Sequence, residues 1–496
     1  MLSRMFRQRS WLRAVTAVVA AWLATANPER DLQAQVPAPG RAPLNVVVAI
    51  ADDWSWSHAG ADGDPSVRTP VFDRLAAEGV RFTHAFAASP SCTPSRASLL
   101  TGQAPHRLAE GAQLWSHLPA RFAVYPDLLE ASGYLVGHAG KGWGPGSLEP
   151  GGRTRNPAGP RHDSFAAFLA ARPAGRPFAF WFGSSDPHRP YEQGSGVRAG
   201  IDLARLRVPA FLPDRPEVRG DVADYLAEVE RFDRDIGALV EALERAGELE
   251  RTVIIVTSDN GMPFPGAKAT LYDGGTRVPL VIRWPGVARA GHVSSDLVTL
   301  TDLAPTILEA AGLDVPADMT GRSLRALLDG RTRAAGRDTV FLERERHANV
   351  RAGDLSYPSR AVRTRQHLYV RNLRPDRWPA GDPVLHHSVG PFGDIDDGPS
   401  KQVLMVDVDA AHASFRQHAF DKRAAEELYD VANDPGQLRN VAGDPANADV
   451  LRDLRVRLDR WMRDTGDPRA TADDDRFDRY PYYGPPLAGR KVAQPH

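Results

Sequence analysis

Cysteine is almost absent from this chain. A single cysteine, Cys92, occurs among 496 residues. An internal disulfide is therefore excluded, and stability must come from ordinary burial of apolar side chains. A solitary cysteine is either a small hydrophobe in the core or a residue with a chemical role of its own. The residues around Cys92 must distinguish the two.

The chain also lacks an excess of charge of either sign. Its 61 Lys and Arg residues nearly match its 62 Asp and Glu residues, so no net field attracts nucleic acid or a membrane surface. Beyond residue 26, no apolar run approaches the roughly 20 residues that a membrane span needs. We expect neither a nucleic-acid partner nor a stable membrane span, and the sequence does not indicate an oligomeric state.

The first residues have the pattern of a targeting segment. Four arginines precede the mostly apolar residues 14–26, which end in small residues. This order is typical of a secretory signal peptide, and the apolar run is short for an uncleaved membrane anchor. We expect a signal peptide over 1–26, a linker over 27–43, and a periplasmic or extracellular location.

The residues after Cys92 predict a helix that begins near the cysteine. Pro94 restricts the backbone, Arg96 brings a permanent positive charge, and residues 97–101 continue as a mostly apolar helix. A helix N-terminus and a guanidinium group both favour an anion. The pattern indicates an anion-binding site beside Cys92.

Oxygen-bearing side chains follow two apolar runs, 44–50 and 253–257, that are typical of buried parallel strands. The oxygen donors after these runs are Asp52, Asp53, Asp259 and Asn260. Ligands of open α/β sheets bind at the carboxyl ends of strands, and adjacent carboxylates repel unless a cation lies between them. The set favours Ca²⁺ or Mg²⁺ over Zn²⁺. A solvated turn is the alternative for the Asp-Asp pair.

The stretch Cys92-Thr93-Pro94-Ser95-Arg96, followed by Leu99-Leu100-Thr101-Gly102, resembles the signature of the type I sulfatases. The resemblance implies that a maturation enzyme converts Cys92 to formylglycine, whose hydrated aldehyde attacks the sulfur of a sulfate ester or sulfamate. It also implies one Ca²⁺, held by the four oxygen donors together with an oxygen of the modified Cys92.

Other positions resemble further sulfatase motifs. Lys141 matches a lysine that contacts the sulfate oxygens, and His188 matches a histidine that protonates the leaving group; Arg96 would join them in neutralising the sulfate. The family usually has a histidine two residues after the lysine, where this chain has Trp143. His138 is a possible substitute, although a histidine at a strand end is more often bonded to a backbone carbonyl.

The stretch Asn260-Gly261-Met262-Pro263-Phe264-Pro265 and the later Lys268 resemble the N-sulfoglucosamine sulfohydrolase, or heparan N-sulfatase, group of that family. Segments 356–364 and 427–442 resemble it too. The resemblance implies that Lys268 is a second sulfate clamp and that the substrate is the N-sulfate of glucosamine in heparin or heparan sulfate. Three candidates for the substrate pocket are His347, Tyr357 and Arg360.

The resemblance implies an α/β, alkaline-phosphatase-like fold with a large central, mostly parallel sheet flanked by helices. We expect this catalytic domain over 44–331, with a long amphipathic helix from Val222 to Leu243 covering the sheet. A smaller α+β region over 332–480 would hold an antiparallel sheet and a terminal helix, followed by a tail over 481–496.

Other functions stay open at this point. An O-sulfatase acting on another polysaccharide or an aryl sulfate would share the same motifs. A phosphatase or phosphodiesterase of the alkaline phosphatase superfamily would share the fold, but it typically uses a Ser or Thr nucleophile between two zinc ions with several histidine ligands, and we find no such histidine set. A non-catalytic glycan-binding relative is the third alternative.

Overall fold

The structure is a computed structural model that describes residues 43–331, 337–384, 390–406, 412–472 and 474–484. The predicted signal peptide over 1–26, almost all of the predicted linker and most of the predicted tail lie outside these residues. Those assignments, and the predicted domain boundary at 331/332, therefore stay predictions.

The described residues form strands and helices that alternate along the first part of the chain. The strands are β1 (Asn45–Ala51), β2 (Val80–Phe86), β3 (Leu135–Gly140), β4 (Phe178–Gly183), β5 (Thr252–Ser258), β6 (Arg277–Arg283), β7 (His292–Ser294), β8 (Val298–Thr299), β9 (Thr339–Arg344), β10 (Ser359–Thr364), β11 (His367–Asn372) and β12 (Glu426–Asp430). The helices are α1 (Pro70–Glu78), α2 (Cys92–Thr101), α3 (Tyr125–Ala131), α4 (Phe165–Ala170), α5 (Ser195–Arg198), α6 (Pro216–Arg245), α7 (Asp273–Thr276), α8 (Leu303–Ala310), α9 (Arg325–Leu328), α10 (Pro399–Val406), α11 (Ala413–Phe420), α12 (Ala448–Asp464) and α13 (Arg476–Arg479). Within the described ranges, no helix has both the length and the apolar character that crossing a bilayer requires.

The larger sheet has the strand order β3-β4-β1-β5-β6-β2-β7, with β8 beside β2. The strand β1 lies between β4 and β5 and is parallel to both, and β3 is parallel to β4. The strand β6 is antiparallel to its two neighbours, β5 and β2. The sheet is therefore mostly parallel and flanked by helices, which confirms the predicted fold class.

The central strand β1 is buried on both faces. Val46, Val48 and Ile50 pack into the core on one side of the sheet, while Val47 and Ala49 pack into the core on the other. Successive side chains of a strand point to opposite faces, so two buried faces require an apolar residue at every position. This double burial explains the unbroken apolar run that the sequence shows.

The long helix α6 covers one face of this sheet. Its buried apolar residues include Val222, Leu226, Val229, Phe232, Ile236, Leu239 and Leu243. They recur at steps of three and four and so lie on one side of the helix. Each such side chain removed from water contributes roughly 1.5–3 kcal/mol before entropy is counted. The predicted amphipathic helix is confirmed, and it begins earlier than predicted, at Pro216, a residue suited to the first turn.

The strands β9 to β12 form a second sheet, of order β12-β11-β10-β9, in which every pairing is antiparallel. The helix α12 packs on this sheet through a stripe of buried residues. The contact consists of Leu451, Leu454, Leu458 and Met462 on the helix and Val362, Tyr369 and Leu428 on the sheet. The predicted C-terminal antiparallel sheet with its helix is confirmed.

The parallel strands bring polar residues to one edge of the larger sheet. Asp52 and Asp53 follow β1, Asp259 follows β5 and Lys141 follows β3, while the loop after β4 carries His188. Because β3, β4, β1 and β5 are neighbours and run in one direction, their carboxyl ends lie side by side.

A separate group of buried charges links the loop after α2 to the smaller sheet. The Nδ1 of His106 lies 3.0 Å from both carboxylate oxygens of Glu343 on β9, and the ring of Trp461 on α12 packs edge-on against the imidazole at 5.2 Å. Burial by itself would lower the pKa of His106, but the carboxylates of Glu343 and Asp467 raise it overall. The protonated imidazole therefore stabilises this contact.

We expect His106→Phe, which keeps an aromatic ring against Trp461 but removes the proton, to lower the free energy of unfolding by about 1.5–3 kcal/mol in weakly acidic solution. Because the folded-state pKa is raised, the stabilisation is full below the unfolded pKa of about 6.5 and is lost as the pH rises through the folded pKa. Urea unfolding of both proteins at about pH 6 and about pH 9 measures this. A difference in stability that does not shrink at the higher pH would contradict the assignment.

Candidate active site

Four oxygen-bearing side chains converge where β1 and β5 end. The two strands pair in register up to Ala51 and Ser258, so the residues that follow are neighbours. The backbone N–H of Asp53 donates to Asp259 Oδ1 at 3.1 Å, and Asn260 Nδ2 donates to Asp53 Oδ1 at 2.5 Å. The structure thus brings together the residues predicted as metal ligands, which are Asp52, Asp53, Asp259 and Asn260, all at most 3% exposed.

The backbone at Asp53 explains how two consecutive carboxylates reach one site. Asp53 has φ = 77°, in the left-handed region that aspartate adopts more readily than most residues. In a continuing strand the side chains of Asp52 and Asp53 would point to opposite faces. The left-handed turn ends that alternation immediately after β1.

This set fits a hard divalent cation. A carboxylate oxygen of Asp52, one of Asp259 and the Sγ of Cys92 lie within 4.8 Å of one another. The buried Oδ1 of Asn260 has no hydrogen-bond partner among the described residues, a lack that a cation would satisfy. Burial raises the pKa of Asp259 even though Arg96 lies beside it. A bound cation would offset the free-energy cost of burying this carboxylate in its charged form. Oxygen donors of this kind suit Ca²⁺ or Mg²⁺.

Cys92 is the first residue of α2, as the sequence predicts, and it faces the oxygen donors. Its Sγ lies 3.5 Å from Asp52 Oδ1, and the residue is 3% exposed. Burial raises the pKa of the thiol well above its usual value, although Lys141 acts in the opposite direction. The thiolate form is therefore disfavoured, and thiolates are the reactive form of cysteine.

Three cations surround the carboxylates: Arg96 and Lys268 are buried, and Lys141 is partly exposed. Arg96 is completely buried, and its Nε donates to Asp259 Oδ2 at 2.8 Å. The Nζ of Lys141 donates to Asp52 Oδ2 at 2.6 Å, and the Nζ of Lys268 donates to Asp53. We call these cations, the oxygen donors and Cys92 together the strand-end cluster.

Glycine allows Lys141 to enter the cluster. Gly140 has φ = 69°, and a Cβ at this position would lie 2.1 Å from the carbonyl oxygen of Gly183. A larger residue would separate the ends of β3 and β4, where the N–H of Lys141 donates to the same carbonyl at 2.7 Å. The close approach of two backbones thus requires the glycine that precedes the lysine.

The charges of the strand-end cluster balance before any ligand binds. Its three carboxylates and its three cations are all at most partly accessible to water. A bound divalent cation would leave these groups with an excess of positive charge in a site from which water is largely excluded. Such an excess favours a sulfate group and stabilises negative charge that develops on its oxygens.

His188 lies at the open side of the cluster, with its side chain 33% exposed. Its Nδ1 lies 2.6 Å from the carbonyl oxygen of Arg189. A carbonyl can only accept, so Nδ1 must carry the hydrogen. The Nε2 lies 3.7 Å from Asp53 Oδ2 and is the nitrogen presented to the cluster.

Two of the three predicted pocket residues lie beside the cluster. The Nδ1 of His347 lies 2.8 Å from the Oγ of Ser91, the residue before Cys92, and burial lowers the pKa of His347 to about 3. Tyr357 lines a small cavity of about 30 Å³ together with Lys268. Its buried hydroxyl has no hydrogen-bond partner within the described ranges.

The third, Arg360, is not brought to the cluster. It is completely buried; its Nε donates to Asp467 Oδ2 at 2.6 Å and its Nη2 donates to Glu345 at 2.9 Å. Carboxylates already engage the guanidinium, so the structure supports a role in joining β10 to the residues after α12 instead of the predicted contact with substrate. The sequence pattern of a basic strand residue does not distinguish these roles.

Trp143 stands where the family usually has a histidine, and its side chain differs from a histidine in chemistry. The residue is buried in the core, and its backbone is held by hydrogen bonds with the side chain of Asn156. An indole cannot act as a base. His138 does not replace it, because its Nδ1 lies 2.8 Å from the carbonyl oxygen of Gly159 and its ring is buried.

Asp396 also lies beside the cluster, although no sequence motif indicates it. Its Oδ2 lies 3.4 Å from the Nζ of Lys268. Burial alone would raise the pKa of Asp396, but the charges of Lys268, His188 and His347 lower it overall. The only signal is a short acidic run at 394–397, which no strand end or motif connects to the site.

Comparison with known proteins agrees with this geometry. The family model described as Sulfatase matches residues 44–145 and 162–313. The model described as N-sulphoglucosamine sulphohydrolase, C-terminal, matches residues 267–379. N-sulphoglucosamine sulphohydrolase of Homo sapiens is 31% identical over 488 residues, which cover 87% of this chain and 92% of that protein.

Solved structures show the same fold. One, in complex with its substrate D-glucosamine-2-N,6-O-disulfate, has a TM-score of 0.63 and 20% identity, and the match covers 88% of this chain and all of that one. Phosphonate monoester hydrolase of Agrobacterium radiobacter has a TM-score of 0.58 and 20% identity, with 85% and 96% covered. The fold is thus shared by enzymes that act on different groups.

We expect a divalent cation, supplied as Ca²⁺ or Mg²⁺, to raise the melting temperature of the protein and a chelator to lower it. At 100 times the Kd, a bound ion stabilises the folded state by about 2.7 kcal/mol. Asp259→Asn should abolish most of this shift because it removes a charged ligand from the cluster. Asp302→Asn is the matched control: Asp302 is a buried carboxylate that pairs with Arg337. An equal cation-dependent shift in wild type and Asp259→Asn would contradict the site.

Proposed function

Because the chain belongs to the sulfatase family, whose enzymes hydrolyse sulfate or sulfamate esters, we propose that it removes the N-sulfate of glucosamine in heparin or heparan sulfate. The observation that carries this proposal is the strand-end cluster, in which Cys92 at a helix N-terminus faces buried carboxylates and cations. The choice of an N-sulfate rests on the match of residues 267–379 to the C-terminal region of N-sulphoglucosamine sulphohydrolase and on the similarity to the human protein of that name.

We propose that a maturation enzyme converts Cys92 to formylglycine. The buried thiol is protonated and is a poor nucleophile as it stands. The hydrated aldehyde, when formed, supplies one hydroxyl for attack on sulfur and a second whose deprotonation allows sulfate to leave. The flanking residues hold position 92 from both sides, since Ser91 contacts His347 and Thr93 Oγ1 donates to the carbonyl oxygen of Pro145 at 2.5 Å.

The cations of the cluster bind and orient the sulfate group. Arg96, Lys141 and Lys268 are each fixed by a carboxylate, so they are positioned before the substrate arrives. Fixed charges stabilise a transition state without the cost of reorganising solvent. We propose Ca²⁺ as the cation held by the oxygen donors and by position 92, where it would polarise the sulfate group.

His188 supplies the proton for the leaving group. Its Nδ1–H is committed to the carbonyl of Arg189, so only Nε2 is able to donate towards the substrate. When the S–N bond breaks, the electron pair remains on nitrogen, which takes the proton from Nε2. A histidine placed in this way can act as the general acid of the step.

We expect the matured protein to remove the N-sulfate from N-sulfoglucosamine at the end of a heparin-derived saccharide and to leave a 6-O-sulfate in place. The expectation follows from the resemblance to N-sulphoglucosamine sulphohydrolase and from a site that presents a proton donor to the leaving atom. Mass spectrometry of the products locates the lost sulfate. Loss of the 6-O-sulfate with the N-sulfate retained would refute the proposed specificity.

A phosphate monoester assayed beside the sulfated substrate tests the phosphatase alternative. The candidate metal-binding groups at the strand ends, within the described ranges, contain a single histidine, His188. A zinc phosphatase typically has several. We therefore expect hydrolysis of the phosphate ester to be slower, and faster phosphate than sulfate hydrolysis would favour that alternative.

The targeting pattern of the first residues leads us to propose that the protein is exported to the periplasm or beyond the cell, with residues 1–26 removed. Mass spectrometry of protein isolated from its host tests this proposal and the modification together. We expect an N-terminus at or near Asn27 and a Cys92 peptide with the mass of an aldehyde. An unmodified thiol in matured protein, or an intact N-terminus, would contradict the respective proposal.

A further inference from the structure

Asp396 is an acidic residue at the edge of a site that would favour an anion once a divalent cation is bound. One of its carboxylate oxygens lies within 4.8 Å of the ligand atoms of both Asp53 and His188. Its Oδ2, 3.4 Å from Lys268, is buried and makes no hydrogen bond within the part of the chain that the structure describes. The side chain as a whole is 32% exposed, so it stands at the open side of the strand-end cluster.

The chain holds Asp396 in this position. The preceding residue, Ile395, is buried in an apolar group with Phe392. The Nζ of Lys401 donates to the carbonyl oxygen of Ile395 at 2.8 Å and to Asp397 at 2.9 Å. Contacts on both sides of Asp396 therefore fix the direction of its carboxylate.

The need to neutralise Lys268 does not explain why a carboxylate is present at position 396. Asp53 already pairs with Lys268 at a shorter distance, and its carboxylate is completely buried. A second negative charge near the sulfate site repels the substrate. The repulsion is offset only if the carboxylate accepts a hydrogen bond from the substrate. The carboxylate of Asp396 therefore needs a hydrogen-bond donor on the substrate, next to the atom that His188 protonates.

The leaving atom itself distinguishes the two classes of substrate. The nitrogen of a sulfamate carries an N–H, and after cleavage it becomes an amine that takes up a further proton to form an ammonium group. The bridging oxygen of a sulfate ester carries no hydrogen. Before the bond breaks, a carboxylate beside His188 can thus accept a hydrogen bond from the first kind of leaving group and not from the second.

We propose that Asp396 accepts a hydrogen bond from the 2-amino nitrogen of glucosamine and so selects sulfamates over sulfate esters. This inference rests on the proposed function, because it assigns a residue to the recognition of the N-sulfate. The bond from nitrogen to Asp396 is present before the S–N bond breaks. It strengthens as the nitrogen gains its proton from His188, because the acceptor then faces a cation.

Kinetics on two substrates tests the proposal. We expect Asp396→Asn to lower kcat/KM for N-sulfoglucosamine by about tenfold or more, since hydrogen bonds to charged groups are of that strength. The value for 4-nitrophenyl sulfate, which has no hydrogen on its leaving oxygen, should change by less than about threefold. Asp449→Asn, which changes a mostly exposed carboxylate on α12, is the control and should change neither. An equal loss on both substrates would overturn the proposal.

Binding of the product gives a readout that needs no turnover. Calorimetry should show that unmatured wild-type protein binds glucosamine, and that Asp396→Asn weakens this binding by about tenfold. Binding of the uncharged N-acetylglucosamine should be unchanged. Asp396→Glu, which keeps the charge, should retain glucosamine binding better than Asp396→Asn, whereas glucosamine binding that is the same in wild type and Asp396→Asn would overturn the proposal.

These measurements also separate the two proposals. If glucosamine binding depends on Asp396 but the matured protein leaves N-sulfate intact, the proposed function fails and the assignment of Asp396 as an amine-binding residue stands. If N-sulfate is removed and Asp396→Asn affects both substrates alike, the function stands and the selectivity assigned to Asp396 fails.

Discussion

The site depends on the compensation of buried charge at the ends of β1 and β5. Asp52, Asp53 and Asp259 lie side by side with almost no access to water, an arrangement that is unfavourable unless opposite charges lie among them. Arg96 provides the central compensation. It bonds to Asp259 and also donates to the backbone carbonyls of Lys141 and Gly142, so one guanidinium connects the end of β5 to the end of β3.

The larger sheet gives this charge cluster its rigidity. Its strands are packed on both faces, and α6 covers one face along much of its 30-residue length. Side chains at the ends of such strands have little freedom to move apart when their charges repel. The charges of the cluster are therefore held in fixed positions, which is the condition under which they are most effective in catalysis.

The smaller sheet and the residues around it complete the open side of the site. The strand-end cluster and His188 come from the residues before 270, whereas His347, Tyr357 and Asp396 come from the C-terminal part of the chain. The strand ends of the larger sheet therefore supply the charged cluster, and the C-terminal part of the chain supplies residues that surround it.

The sequence by itself determined the elements and most of the cluster. Unbroken apolar runs identified β1 and β5, the three- and four-residue repeat identified α6, and the rule that ligands bind at strand ends located Asp52 and Asp259. These features depend on the residues near them in the chain, so a local pattern is enough to find them. The resemblance to sulfatases assigned roles to Lys141, His188 and Lys268.

Only the tertiary structure decided the partners of charged residues that are far apart in sequence. Arg360 lies on a basic strand that would suit substrate binding, yet Asp467 and Glu345 engage it in the interior. Asp396 lies in a short acidic run without a motif, yet it reaches Lys268 and His188. Whether a charged side chain binds a ligand or another residue depends on which distant segment packs against it, and that packing is a property of the whole fold.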